Sequence, residues 1–463
     1  MAQKNEIPIL LTALLITLTI IGGIGFILFR SSPDPIQDNF PSVDDANRNL
    51  PKLISSGSTI LVPGTDNEAK QFAAKAIAEG NNTEAIRLFS NYLWVNPNDP
   101  EALIYFNNLQ AISHNPLKIA VVVPIGSNLN ISQEMLRGSA QAQNEINKRG
   151  GINGRYLHIT IANDSNQPET AKQIAQALVK NSEILAVVGH NASNASLIAA
   201  PIYQNNKLVM VNPTSFANGI SDVGDHIFRV VPTVSSSAKS LVQKFSKNNR
   251  KIAICYDSQA PDGVSFQQEF VANLLAQGLR QAPTVCDLND PSLNSQTEIA
   301  EAVNSGADSL LILPHIDRLQ KAYDLAKANK GELSLYGNST LATIKTLEQG
   351  KASQGLTLVV PWSSKTIENM RFAQSARQLW GGDVSWRSAG NYDATYTVAT
   401  GLKQSQNRQG LQEALESPNF ISTTTNGEVK FLPNGDRAGQ GIIVQVKPSS
   451  SHPTGYDFIP LPP

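Results

Sequence analysis

Two short stretches gather the groups best suited to holding a small polar molecule: His190-Asn-Ala-Ser193-Asn194 and Asn212-Pro-Thr214-Ser215-Phe216. Each closes an apolar run, Leu185–Val188 and Leu208–Val211, and each offers hydroxyls and amides with little charge. Such groups donate and accept hydrogen bonds without moving protons at neutral pH, so their chemistry is recognition. Ser193 stands just before a helix expected to begin near Asn194 or Ala195. There its hydroxyl either caps the helix or joins the free N–H groups of the first turn in receiving an anion such as a carboxylate. Thr214 and Ser215 follow Pro213 and offer a hydroxyl and a backbone N–H to the same group, or else satisfy their own turn. His190 and His315, the latter after Pro314 at another strand end, are candidates to line the same space, although isolated histidines in turns are more often solvated or capping.

Other chemistries find little support. There is no Gly-x-Ser-x-Gly elbow, no phosphate-binding glycine loop after a strand, and no His or Cys spacing of a metal site. A net charge of -1 leaves no basic footprint for nucleic acid. The residues therefore describe a binding protein, neither an enzyme nor a cofactor carrier.

The elements that position these loops follow from the apolar pattern. Short β-branched runs with a helical segment between them form a βαβ unit of a parallel sheet buried on both faces, and ligands of such sheets sit at the strands' carboxyl ends. From Leu117 the alternation continues through KIAVVVPI, YLHITIAND, ILAVVGH, KLVMVNP, HIFRVVP, KIAICYD, SLLILP and GLTLVVP. That is an α/β protein with two sheets, one complete by about Val234 and one built from Lys251 to Pro361. Asn426-Gly427 and Asn434-Gly435 flank a strand near the end, and the Pro- and Ser-rich last ten residues are expected to fray. Cys255 and Cys286 lie in strand-like runs that are neighbours in one sheet; two buried thiols are the favoured state, with a bridge left open.

Ahead of these sheets, residues 7–29 are uncharged and long enough to cross a hydrocarbon layer of ~30 Å, and they read as an uncleaved anchor that leaves the rest of the chain outside the cytoplasm. Residues 30–65 read as a linker. Over 66–112 a helical period appears, and Gly80, Ala85, Phe89 and Pro97 resemble one tetratricopeptide-type hairpin. A single hairpin cannot form a solenoid, so a helical cap packed on the next domain is the expectation.

The run IAVVVPIGSN, the helix end Gly150-Gly151-Ile-Asn-Gly154-Arg155, and the strand ends at VVGHNASNAS, VMVNPTS and FRVVPT together resemble the periplasmic leucine/isoleucine/valine-binding protein family, from about Leu117 to Lys447. The resemblance implies a two-lobed type I periplasmic-binding fold, with lobe 1 at 117–235 and 362–437 and lobe 2 at 236–361 and 438–457. It further implies closure on a small solute that is passed to an ABC-type permease. The family's carboxylate-binding serine falls on Ser193, with Asn194, Thr214 and Ser215 as further candidates for solute contact beside it. Three positions depart: Phe216 stands where a threonine is common, Asp262 of Pro261-Asp262-Gly263 where an aromatic precedes the glycine, and Ser339 where an acid holds the ligand's ammonium group. A buried ammonium needs a carboxylate, which only Asp262 offers here, although Pro-Asp-Gly is also an ordinary turn. Loss of the ammonium site also admits a second reading, a receptor-like fold without ligand that serves as an envelope interaction protein.

Overall fold

The computed structural model describes residues 50–64, 68–246, 251–366 and 370–462. The expected anchor at 7–29 and the first part of the expected linker lie outside the described residues. Among the described residues no helix is long and apolar enough to cross a membrane.

From residue 50 the chain is not a linker. Strand β1 (Ile54–Ser55) is followed by helices α1 (Glu68–Ala78), α2 (Asn82–Val95) and α3 (Pro100–Ala111). Asn81 caps α2 by accepting from the Glu84 N–H, and Asp99 caps α3, whose first residue is Pro100, by accepting from the Ala102 N–H at 3.0 Å. The segment before α1 is tied down by Glu101, whose carboxylate accepts the backbone N–H groups of Leu61 at 2.6 Å and Val62 at 3.3 Å. Lys70, equally buried, reaches both Asp99 and Glu101 at 2.7 Å. Burial pushes the Glu101 carboxyl upward, with Lys70 opposing that shift. Asn108 of α3 accepts from the Ile159 N–H at 2.9 Å and donates to the Ile159 carbonyl at 2.8 Å, so the helices dock through side-chain amides on the first sheet.

That sheet is built by β2 (Leu117–Val123), α4 (Leu129–Lys148), β3 (Leu157–Asn163), α5 (Pro168–Lys180), β4 (Ile184–Val188), α6 (Ser193–Asn205), β5 (Val209–Asn212) and β6 (Ile227–Pro232). Its order begins β1-β3-β2-β4-β5-β6; β1 pairs antiparallel with β3 and the others run parallel. The turn after α4 needs its glycines: Gly150, Gly151 and Gly154 have φ of +91°, +77° and +83°, and a Cβ on Gly151 would lie 2.3 Å from the Arg155 carbonyl oxygen.

The second sheet begins after α7 (Val234–Ser246) with β7 (Lys251–Tyr256), α8 (Pro261–Ala276), β8 (Arg280–Asp287), α9 (Ser295–Asn304), β9 (Ser309–Leu313), α10 (Leu319–Asn329), β10 (Ser334–Gly337), α11 (Ile344–Glu348) and β11 (Thr357–Val360). The chain then returns to the first lobe as α12 (Met370–Trp380), α13 (Trp386–Leu402), α14 (Arg408–Glu416), the hairpin β12 (Ser422–Thr424) and β13 (Gly427–Val429), and β14 (Asp436–Arg437) beside β6. It ends on the second sheet with β15 (Ile442–Pro448) and β16 (Tyr456–Pro460), giving the order β16-β15-β11-β10-β9-β7-β8. The chain thus passes between the sheets after β6, after β11 and after β14.

Two expectations need correction here. Cys255 and Cys286 are directly opposed on parallel β7 and β8, with Cα atoms 4.4 Å apart, and form a disulfide; that proximity is a property of strand register and invisible in spacing. The last residues do not fray, because Tyr456–Pro460 pair antiparallel with Val444–Pro448 and cover the sheet edge that β15 would otherwise expose.

Helix α13 is buried on nearly all sides although many of its residues are polar, among them Arg387, Ser388, Asn391, Asp393, Thr395 and Thr397. It is fastened to α4, which comes so close that a Cβ on Gly138 would lie 2.0 Å from the Ser388 carbonyl oxygen. The Ser388 hydroxyl donates to the Glu134 carboxylate at 2.7 Å, and the Tyr392 hydroxyl to Glu145 at 2.8 Å. The first turn of α13 is thereby held rigidly at the lobe boundary.

Lys70→Met leaves Glu101 buried without its cation and is expected to cost about 3 kcal/mol in urea unfolding. The double variant Lys70→Met/Glu101→Gln should cost distinctly less; equal losses would show that the charge pair is not the anchor of this region.

The interlobe cleft as candidate functional site

Between the two sheets lie two cavities that share Trp386 and Arg387. The inner one, of about 30 Å³, is lined by Ser193, Thr214 and Phe216 from the first lobe and by Asp262, His315 and Thr340 from the second. The outer one, of about 430 Å³, opens between the first turns of α4 and α13 on one side and α11, β15 and the 452–458 segment on the other. The lobes also touch directly. The Asn218 N–H donates to the Ser265 hydroxyl at 3.1 Å, the Asn218 amide to Glu269 at 3.3 Å, and Arg387 to the Ala342 carbonyl at 3.3 Å. The inner end of the cleft is closed, with room for about one water.

The residues expected to hold solute divide into those that face this space and those that shape it. Ser193 is the first residue of α6 and does not cap it; Ala192 precedes the helix, with no side-chain cap. The Ser193 hydroxyl instead accepts the backbone N–H groups of Phe216 and Ala217, each at 3.2 Å, and so fastens one binding loop to the other. The Thr214 hydroxyl donates to the Asn191 carbonyl at 3.0 Å while the residue lines the inner cavity. Ser215 is turned away into a buried network with Ser196 at 2.7 Å and Asn212 at 3.2 Å. Asn194 lies outside both cavities, its side chain accepting from the Ala195 N–H at 2.8 Å. Phe216 packs edge-on against Trp386, ring centroids 5.8 Å apart.

From the second lobe, Asp262 sits in the first turn of α8, not in a reverse turn. Its Oδ1 is shut off from solvent with no partner among the described residues. Burial pushes this carboxyl upward; the neighbouring His315 opposes the shift and Asp257 adds to it. His315 precedes the 3-10 turn Ile316–Arg318, where its Nδ1 accepts from the Asp317 N–H at 3.3 Å and its Nε2 has no partner. Ser339 opens the 3-10 turn capped by Asn338 and does not line either cavity, whereas Thr340 does. His190 is withdrawn entirely: its ring is buried between Asp164 at 2.7 Å and Tyr203 at 3.1 Å.

Sequence reasoning missed Arg387. It is 4% exposed, its guanidinium lies 4.4 Å over the ring of Trp386, and its Nε has no hydrogen-bond partner among the described residues. Burial pulls its pKa down to about 10, which still leaves a cation at neutral pH. No carboxylate among the described residues pairs with it. The acids that line the outer cavity have their own cations: Glu134 has Arg137, Asp383 has Arg377 and Asp457 has Lys365. Trp362 and Trp386 line the outer cavity too, each with a buried Nε1 that lacks an acceptor. Trp362 and Trp386 were expected to pack in the core or hinge, and Trp386 with Tyr392-Asp393-Ala394 was read as a helix start; the helix begins at Trp386, where Ser385 caps it by accepting the Arg387 N–H at 3.2 Å. An arginine in the first turn of a polar helix ordinarily faces water, so nothing in the sequence marked this one as buried.

This two-lobed geometry agrees with what the chain resembles. Residues 116–451 match the family model for a periplasmic binding protein, and the chain belongs to that family. An amino acid binding protein of Pseudomonas aeruginosa is 31% identical over 99 residues, 21% of this chain and 26% of that protein. The Leu/Ile/Val-binding protein of Escherichia coli K12 is 29% identical over 149 residues, 31% of this chain and 40% of that protein. The chain thus spans less than half the length of these curated relatives. Among solved structures, an ABC transporter substrate-binding protein from Desulfitobacterium hafniense in complex with Leu superposes with a TM-score of 0.64 at 22% identity, covering 74% of this chain and all of that one. A solute-binding protein of an ABC transporter from Rhodopseudomonas palustris HaA2, in complex with p-hydroxybenzoic acid, gives 0.65 at 16% identity, covering 75% of this chain and 96% of that one. At these identities the shared property is the fold. The helices α1 to α3 precede the family match, and their tetratricopeptide likeness finds no counterpart in it.

Because burial raises the Asp262 pKa in the folded chain, this group binds its proton more tightly folded than unfolded. Its contribution to stability is therefore present at low pH and lost as pH rises from the ordinary value of 3.8 through the raised one. Asp262→Asn should raise the thermal midpoint at pH 7 relative to the parent, with the difference shrinking as pH falls toward 3.8. A variant less stable at pH 7 would mean that the carboxylate is a stabilised anion there.

Proposed function

We propose that this chain is an extracytoplasmic solute-binding protein, held at the membrane by the apolar segment 7–29, that closes two lobes on a small solute and presents it to an ABC-type permease. The observation that carries this reading is the convergence of strand-end loops from two sheets, Asn191–Ser193 and Thr214–Phe216 from one and Asp262, His315 and Thr340 from the other, on one cleft spanned by three chain crossings. A solute touching both lobes stabilises the closed state by its differential contacts, which is how a clamp of this kind gains affinity. The structural neighbours crystallised with leucine and with p-hydroxybenzoic acid both hold a carboxylate, which favours an anionic group on the solute.

The direct test is calorimetry and thermal shift across amino acids, amides and simple carboxylic acids. A solute that binds and raises the midpoint is the expected result, and silence across the whole panel would remove transport from consideration. Closure has its own signature. Ser265→Ala removes a bond between the lobes without touching either cavity, and it should weaken binding of that solute by about two- to tenfold, the worth of one neutral hydrogen bond. Unchanged affinity would mean that the Asn218–Ser265 contact is not part of the liganded state.

A further inference from the structure

Of the 14 buried side-chain atoms that lack a hydrogen-bond partner among the described residues, five line this cleft: Asp262 Oδ1, His315 Nε2, Trp362 Nε1, Trp386 Nε1 and Arg387 Nε. Native proteins leave few such groups, so their gathering in one place asks for a cause. Three of the five belong to residues that line the outer cavity, and all three are donors whose own atoms are closed off from water. Arg387 adds a full positive charge, and it sits in the first turn of the 17-residue helix α13, whose dipole is also positive at that end. A buried cation at the positive end of a helix is doubly unfavourable, and the nearby Glu134 carboxylate, which is shared with Arg137, offsets that only in part.

One wall of the outer cavity is apolar, with Ile344, Leu347, Val360, Val384, Val444 and Phe458, and the rest is polar, with Asn130, Gln133, Thr343 and His452 among it. Its volume of about 430 Å³ lies inside the usual span of small-molecule sites, ~300–1,000 Å³. Its three carboxylates already face Arg137, Arg377 and Lys365, so an ammonium group there would compete with a cation in place. Asp262 does not supply one there, because it lines the inner cavity of about 30 Å³ and not the outer one.

We infer that the solute is a carboxylate with an apolar body and no α-ammonium group, seated in the outer cavity with its anion on Arg387 and its oxygens accepting from the Trp386 and Trp362 indoles. This deepens the solute-binding reading above and rests on it. The arrangement separates two jobs that an amino-acid site combines. Charge is satisfied at the first turn of α13, and selectivity comes from the apolar walls supplied mostly by the second lobe. Arg387 also touches the Ala342 carbonyl across the cleft, so an anion bound to it acts at a point where the lobes meet.

The experiment uses the full chain and three matched probes: phenylpropionate, phenylalanine, which adds an α-ammonium group, and phenylpropionamide, which removes the charge. Titration is followed by calorimetry and by tryptophan fluorescence, since Trp362 and Trp386 both line the site. Phenylpropionate should bind at least about tenfold more tightly than either of the others, a charge-assisted hydrogen bond being worth roughly that factor or more. Arg387→Gln should abolish the preference over the amide. Trp362→Phe, which keeps the ring and removes only the N–H, should weaken phenylpropionate by about three- to tenfold and still fold. Phenylalanine or leucine binding as tightly as phenylpropionate would overturn the inference while leaving solute binding intact. Failure of every carboxylate, amide and amino acid in the wider panel would overturn both together.

Discussion

A guanidinium held out of water at the lobe boundary sets the terms for the rest of this structure. Removing a charge from water costs several kcal/mol even after relaxation, and a helix N-terminus adds a like-signed field. Arg387 bears both costs with a stacked indole, one backbone carbonyl and the attraction of the Glu134 carboxylate as its compensation. Residues that merely had to fill this position would not include a cation. Its placement is instead the work of the fold, since α13 is bolted to α4 by Ser388, Tyr392 and Thr395 and cannot rotate to release it.

The same logic orders the two binding loops. In a parallel sheet covered on both faces, the strand carboxyl ends are where backbone N–H groups and hydroxyls meet open space. Here much of that polarity is spent inward. Ser193, Ser196, Asn212 and Ser215 bond to one another's loops and fix their shape, while Ser193, Thr214 and Phe216 also line the inner cavity. The loops thus act as a rigid floor, and the charged and indole donors stand on the neighbouring helix. The N-terminal helices contribute differently: Lys70 and Glu101 hold them, and the segment before them, as part of the first lobe's wall.

Sheets were the legible part of the sequence because a doubly covered strand must be apolar throughout, and every run from Ile119 to Val360 read as such became a strand. The helix end at Gly150-Gly151 was legible for an equally physical reason, since only glycine takes those positive φ values cheaply. What escaped detection lacked a local signal. Strand β1 is two residues long, β16 follows a proline- and serine-rich turn, and the disulfide depends on the register of two strands 31 residues apart. Helix α13 was legible as a helix over SAGNYDATYTVATGL, but its burial was not, because its buried face is polar, and Arg387 escaped with it. Phe216 and Ser339 were noticed as departures from a family pattern, and the structure gives the departures a common setting. Ser339 does not line the cleft, Phe216 packs on Trp386, and the unpaired charge of the site is now a cation.

The account stands or falls on the sign and the company of the charge that the cleft takes up. The most direct measurement is mass spectrometry of the small molecule released from the chain after gentle purification from its native source. The structure predicts an organic acid with an apolar body and no amino group. Recovery of an α-amino acid, or of a neutral or cationic solute, would contradict it.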